Sequence, residues 1–307
     1  VNNKAKKSAE TGNQNPESDG TEIQQQQSIR EEIIDRVVKG ENPSSLNMIF
    51  ADLKEAKLIG VNLNQMYLSG VELNNANLTG AQLIEVDLSE ADLSDAKLVD
   101  AQLVGANLNS IKLIRANLNT ANLRDSNLST AKLNNACLIG ANLSGANLSG
   151  AQLQNANLNN AQLNEIYLWN ANLNNAQLVN ADLTGAYMNN VKLNSANLTR
   201  AILKDAQLAE AKLKNANLEW VDLNGAQLDN ANLKNANLSG ACLEKANLLN
   251  ANLKEAILHN TDLRQANLTN ANLIDAKVQN ARFGGNIGIS KDVKVYLKRQ
   301  GAIFEDD

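Results

Sequence analysis

The chain has 307 residues, of which 43% are hydrophobic but only 3% aromatic, and its net charge is -5. The apolar content is almost all Leu and Ala, which excludes an ordinary globular core and fits a narrow interior lined by small, regular side chains. The charge is too mild to demand a nucleic-acid partner, no window of about 18 apolar residues exists to span a membrane, and two cysteines make no disulfide framework.

Residues 1–27 are polar, rich in Asn, Gln, Lys, Ser and Glu, and read as a disordered tail. The text then changes to SIREEIIDRVVKG, where Ile29, Ile33, Ile34, Val37 and Val38 form one helical face. Ser28 is the expected N-cap, with Glu31 three residues on and Gly40 as the stop. Pro43 separates this helix from the next segment, so 28–45 is taken as an N-terminal helical cap.

From Leu46 to Phe283 one five-residue frame runs without insertion, giving about 48 units. With i as the central residue, Leu recurs at Leu53, Leu58, Leu63 and every fifth position to Leu273, interrupted only by Met188. Met48, Val278 and Phe283 extend the frame at its ends. Position i-2 is mostly Ala, i-1 is usually Asn, Asp, Gln or Lys, and i+2 is often Gly or Asn.

A period of five suits neither a helix, with its 3.6-residue repeat, nor a flat strand, with its repeat of 2. In an extended backbone i-2 and i point the same way and i-1 points oppositely. The other two residues must then turn the chain, and Gly or Asn at i+2 supplies the positive φ of a tight turn. If each turn is about a right angle, four units close a coil of roughly 20 residues, stacked about 4.8 Å below the next. Sorted by twenty, one i-2 column is Ala throughout, from Ala56 and Ala76 to Ala276. Another holds Leu46, Met66, Val86, Ser126 and Ile166, the bias expected of physically distinct walls.

A lone unit is unstable. Burying one Leu contributes about 1.5 to 3 kcal/mol, whereas ordering each backbone residue costs about 1 to 2. Only stacked coils, with ladder hydrogen bonds and Leu-on-Leu contacts, favour the folded state. Proline, which would remove a ladder donor, is absent between Leu46 and Phe283.

The run of Ala-(Asn/Asp/Gln)-Leu-x-x units resembles the pentapeptide repeat proteins, especially the Leu-centred kind common in cyanobacteria, over about three quarters of the chain. The resemblance implies an all-β, right-handed quadrilateral parallel β-helix of about 12 coils, a rod of roughly 55 to 60 Å. Its ends need covering. Residues 28–45 can cover the first coil, and 284–307 form the expected C-terminal cap, with a short helix begun by Ser290, stopped by Gly301 and covering the last coil with Val293, Tyr296 and Leu297.

Chemistry is sparse. His259, at i+1, reads as a solvated repeat residue, and Cys137 and Cys242 lie on different walls about five coils apart. Glu90 and Asp92 lie on a convex wet surface with nothing to desolvate them, and no phosphate loop or metal-ligand spacing occurs. The reading is therefore a non-enzyme, with no catalytic, cofactor or metal site.

Two outward features stand out. Tyr167 and Tyr187 share a column one coil apart, with Trp169 on the same wall, giving an aromatic patch of the kind enriched at interface hot spots. A second patch is Lys192, Lys212, Lys214, Lys234 and Lys254, on a wall whose earlier coils carry Asp52, Glu55, Glu72, Asp92 and Asp95, then Lys112, Arg115 and Lys132. Stacked Lys214, Lys234 and Lys254 are expected to repel one another.

The leading function is a non-enzymatic protein-interaction scaffold, open to a regulatory role, with an unidentified protein partner; the resemblance implies it, since cyanobacterial members include a regulator of cell differentiation. The alternatives are a DNA mimic that binds a type II topoisomerase such as gyrase, and a purely structural spacer. Mimicry fits less well, because the acidic residues concentrate before Asp100 and Leu stands where such relatives mix in Phe. The repeat generates Asn-Leu-Ser/Thr tripeptides at Asn77, Asn142, Asn197 and Asn267, so a bacterial cytoplasm suits the chain better than a secretory route, and its Val start leaves an upstream targeting segment open.

Overall fold

The computed structural model describes residues 27, 30–39, 48 and 50–305. Every i-1 residue from Asp52 onward pairs in parallel with the residue twenty positions later, from Asp52↔Glu72 to Asn267↔Ile287. Twenty residues therefore make one coil, and four units make its four walls. Wall 1 runs through Leu53 and every twentieth residue after it, wall 2 through Leu58, wall 3 through Leu63 and wall 4 through Leu68. The central residues are buried in one continuous core, and so are the i-2 residues apart from half-buried Ala51 and Ala271 at its two ends. The last pairing reaches Ile287, four residues beyond the expected end at Phe283.

Through most of the rod four of the five backbone N–H groups of a unit are placed by the backbone itself, as buried amides must be. Three join coils: Glu72 N–H donates to the Ala51 carbonyl at 2.9 Å, Leu53 N–H to Glu72 at 2.8 Å and Glu55 N–H to Asn74 at 2.9 Å. A fourth closes the turn, as Ala56 N–H donates to the Leu53 carbonyl at 3.2 Å. Every fifth residue from Phe50 to Gly285 has positive φ. That conformation and the i to i+3 bond are the features of a type II turn. Gly and Asn suit it, but Glu, Arg, Thr and even Trp220 adopt it at φ 58°, so the ladder overrides local preference.

The fifth N–H, at i+1, explains the polar i-1 position. There Asn or Asp folds its oxygen back onto it: Asn62 Oδ1 accepts from Asn64 N–H at 3.1 Å, and Asp92 Oδ1 from Ser94 N–H at 3.0 Å. At several units where i-1 does not do this, an Asn at i+1 of the preceding coil accepts instead. Asn64 serves Ile84 at 2.8 Å past Gln82, Asn119 serves Ile139 at 3.0 Å past Cys137, and Asn159 serves Val179 at 2.8 Å past Gln177. The two buried hydroxyls of the i-2 columns are also satisfied, Ser126 by the Leu123 carbonyl at 2.6 Å and Thr261 by Leu238 at 2.8 Å.

At the N-terminal end, residues 30–38 form helix α1, and Ile33 and Val37 are buried in the same cluster as Met48 and Leu53. Ser28, Ile29, Gly40, Pro43 and Leu46 lie outside the described residues, as does the 1–26 tail, while Gln27, assigned to that tail, is helical. At the other end, β1 (Arg282–Phe283) belongs to the last coil and helix α2 (Lys291–Arg299) comes after it. Ser290 caps α2 by accepting from Val293 N–H at 3.3 Å. Of the three covering residues expected, only Leu297 is fully buried, whereas Val293 and Tyr296 remain partly exposed.

The reason is a rung the sequence reading missed. After Gly301 the chain returns to wall 3, where β2 (Ile303–Phe304) pairs in parallel with β1. The Phe304 ring stacks on Phe283 at 4.9 Å and 14°. Part of the covering expected of α2 is thus done by Phe304. Arg282 and Arg264 bridge from Asp262 to Glu305 and fasten this rung, with Arg282 Nη2 2.6 Å from Glu305.

Candidate functional site

The buried central and i-2 side chains form one continuous core, so the outward residues of the walls are the ones open to a partner. From Ala106 to Asn190 the five units of wall 4 carry no Asp, Glu, Lys or Arg, as is true of the four units of wall 2 from Ala116 to Asn180, but wall 4 alone carries an aromatic step there. Its other outward residues there are Asn, Ser, Thr and Gly.

That step contains the three residues predicted. Tyr167 and Tyr187 are ladder partners, and the 20-residue register lays their rings 4.7 Å apart and 5° from parallel. Trp169 meets both edge-on, at 5.5 Å and 77° to Tyr167 and at 6.2 Å and 75° to Tyr187. Such stacked and T-shaped pairs match the ring quadrupole. The tyrosines are half-buried by each other, and Trp169 keeps 43% of its surface exposed. Trp220 stands apart at another corner, lying over Gly240, where an added Cβ would meet its ring at 2.4 Å.

The lysine patch is partly neutralised, which corrects the expectation of mutual repulsion. Glu255 enters the next column of wall 1, 3.9 Å from Lys234 and 3.5 Å from Lys254. Lys192 and Lys212 are ladder partners and, with Lys214, are exposed without an ion pair among the described residues. Earlier on the same wall, acids and bases pair across coils. Lys54 contacts Glu72, Lys112 lies 3.2 Å from Asp92, and Arg115 lies 2.6 Å from Asp95. The Arg115 hydrogen bond holds the Asp95 carboxyl below the usual range. Asp92 is not simply wet. Burial pushes its carboxyl up, but hydrogen bonds from Ser94 and Lys112 together outweigh this and hold it low.

His259 also differs from its solvated reading. It is half-buried, its Nδ1 has no partner among the described residues, and it shares an open cleft of about 410 Å³ with Asp275, Gln279 and Tyr296. Among the described residues no nucleophile or carboxylate hydrogen-bonds to its Nδ1. Cys137 and Cys242 are free and half-buried, and the described residues contain no metal-ligating cluster. No helix among them is long and apolar enough to cross a membrane.

The family model described as pentapeptide repeats matches residues 47–109 and 111–285 in overlapping copies. Among solved structures, HetL, a pentapeptide repeat protein involved in heterocyst differentiation regulation in the cyanobacterium Nostoc sp. strain PCC 7120, is 32% identical. The match covers 76% of this chain and 90% of HetL, with a TM-score of 0.34. Trypsin-treated QnrB1, a plasmid-mediated fluoroquinolone resistance protein, is 18% identical over 62% of this chain and 95% of its own, with a TM-score of 0.35. A pentapeptide repeat protein of the Arabidopsis thaliana thylakoid lumen is 28% identical over 39% of this chain and 74% of its own, with a TM-score of 0.19. Among curated protein sequences none matches. The family implies the right-handed hand of the four-walled coil, and on the family-model match the chain belongs to the pentapeptide repeat family.

Proposed function

We propose that the chain is a non-enzymatic protein-interaction scaffold: a rod of about twelve coils, closed by α1 at one end and by α2 with β2 at the other, that offers wall 4 to a protein partner. The observation that carries this reading is the Tyr167–Trp169–Tyr187 step standing alone on the uncharged stretch of wall 4 from Ala106 to Asn190. Interface cores are depleted in charge and enriched in Tyr and Trp. A rigid ladder presents these rings at small entropic cost. Kinship with HetL, a protein involved in differentiation regulation, supports a regulatory role, and the repeated Asn-Leu-Ser/Thr tripeptides support a bacterial cytoplasm.

The lysines Lys192, Lys212 and Lys214 form the second candidate surface. DNA mimicry is less well supported, because it needs a continuous negative wall, whereas Glu72, Asp92 and Asp95 are each paired with a base. The test is capture of a partner from source cells by the intact chain and by a Tyr167→Ala, Trp169→Ala, Tyr187→Ala variant, each shown to be folded. A protein held only by the intact chain supports the reading, and equal capture by both overturns it.

A further inference from the structure

The corner between walls 3 and 4 carries a second pattern. Along this i+2 column acids alternate with glycine at every coil: Glu85, Gly105, Asp125, Gly145, Glu165, Gly185, Asp205, Gly225. The aspartates lean over the glycine of the next coil: a Cβ added at Gly145 would meet Asp125 Oδ1 at 2.5 Å and one added at Gly225 would meet Asp205 Oδ1 at 2.3 Å, whereas one added at Gly185 would rest in ordinary contact with Glu165 Cγ at 3.6 Å. Successive carboxylates are therefore two coils apart, about 10 Å at ordinary strand spacing.

Not all of them are open. Glu85 accepts from Gln65 at 2.9 Å and Asp125 is paired with Arg124 at 3.1 Å. Glu165 and Asp205 are exposed and make no ion pair among the described residues, although Lys204 adjoins Asp205 in sequence. These two border the aromatic step, for Glu165 precedes Tyr167 by two residues and Asp205 stands at the same corner one coil beyond Gly185, which precedes Tyr187. The docking face thus has aromatic rings on the wall and carboxylates about 10 Å apart along its edge.

We infer that this face receives a polyproline-II segment of a partner protein that carries a basic residue at every third position. That helix has three residues per turn and rises about 3.1 Å per residue, so every third side chain points the same way about 9.3 Å apart, close to the carboxylate spacing. A β-strand repeats a face every second residue, about 6.8 Å, and misses it. Proline rings set against exposed Tyr and Trp, with basic side chains meeting the acidic corner, is the division of contacts such segments use on aromatic-lined surfaces. The inference rests on wall 4 being the docking face and adds the chemistry of what docks.

The test is fluorescence anisotropy of a labelled peptide of four Pro-Pro-Arg repeats titrated with the full chain. Two further peptides, of Pro-Pro-Glu and of flexible Gly-Ser-Arg repeats, serve as controls. The expected result is saturable binding of the first, at least tenfold tighter than of either control. It weakens at least tenfold in Tyr167→Ala, Tyr187→Ala and at least threefold in Glu165→Gln, Asp205→Asn, while Glu55→Gln, Glu219→Gln, on walls 1 and 2, leaves it unchanged. Equal binding of Pro-Pro-Arg and Gly-Ser-Arg, insensitivity to the Glu165 and Asp205 changes, or no binding at all overturns the inference. If a cellular partner is still captured through the aromatic step, the scaffold reading survives that failure.

Discussion

Asn119 Oδ1 lies 3.0 Å from the backbone nitrogen of Ile139, one coil later, and it accepts there because Cys137, at i-1 of that unit, carries no oxygen. The polar residues of the repeat are thus not interchangeable decoration. At the units that carry Asn or Asp in the right place, either the unit itself or its lower neighbour satisfies the one N–H that the ladder leaves over.

Removing that acceptor should therefore be costly only while Cys137 remains. Asn119→Ala leaves the Ile139 N–H unsatisfied in a half-buried position and is expected to lower stability by about 1 kcal/mol. Cys137→Asn restores an acceptor inside the unit, so the Asn119→Ala, Cys137→Asn double variant should recover most of the loss. Urea midpoints of the four proteins measure the coupling directly.

Phe304 should matter more than its place near the chain end implies. It stacks on Phe283 and supplies the last rung, so Phe304→Ala is expected to cost about 1 to 3 kcal/mol. Hydrogen exchange should localise the change to the last coil, and deletion of residues 284–307 should lower solubility by baring the β1 edge.

The Asp262 carboxyl gives this end a pH dependence. Hydrogen bonds from Arg264 hold it below the usual range against the opposing effect of burial. A lowered folded-state value means that the stabilisation is complete above the unfolded value of about 3.9 and is lost as pH falls through the folded one. Protection of the Ile303 and Glu305 amides, corrected for intrinsic exchange, should be flat from about pH 8 to 5 and weaken below about pH 4. A loss of protection in the neutral range would contradict the assignment.

The aromatic step should be dispensable for folding. None of its side chains faces the core, and its ring contacts are worth about 0.5 to 1.5 kcal/mol per pair. The Tyr167→Ala, Trp169→Ala, Tyr187→Ala variant should keep the circular dichroism of the intact chain and melt within a few degrees of it.

The coil could be read from the sequence because backbone geometry and composition agree at every unit: Leu and Ala in, a polar residue out, a turn every fifth residue. The aromatic step was legible for the same reason, since a strict register turns residues twenty apart into neighbours. Three things were not. The role of Asn at i+1 depends on its neighbour one coil away. Glu255 reaches Lys234 and Lys254 from a different column. The β2 rung pairs Ile303 with Arg282, 21 residues back, and so falls outside a 20-residue frame.

The most direct test of the docking face is photocrosslinking in source cells, with a photoreactive residue placed at Asn189, which lies one coil beyond Trp169 on wall 4, or at Asn159 on wall 2. The account predicts one defined protein adduct from Asn189, none from Asn159, and loss of the adduct when Tyr167, Trp169 and Tyr187 are replaced by Ala. Adducts equal from both walls, or an Asn189 adduct indifferent to the aromatic residues, would contradict it.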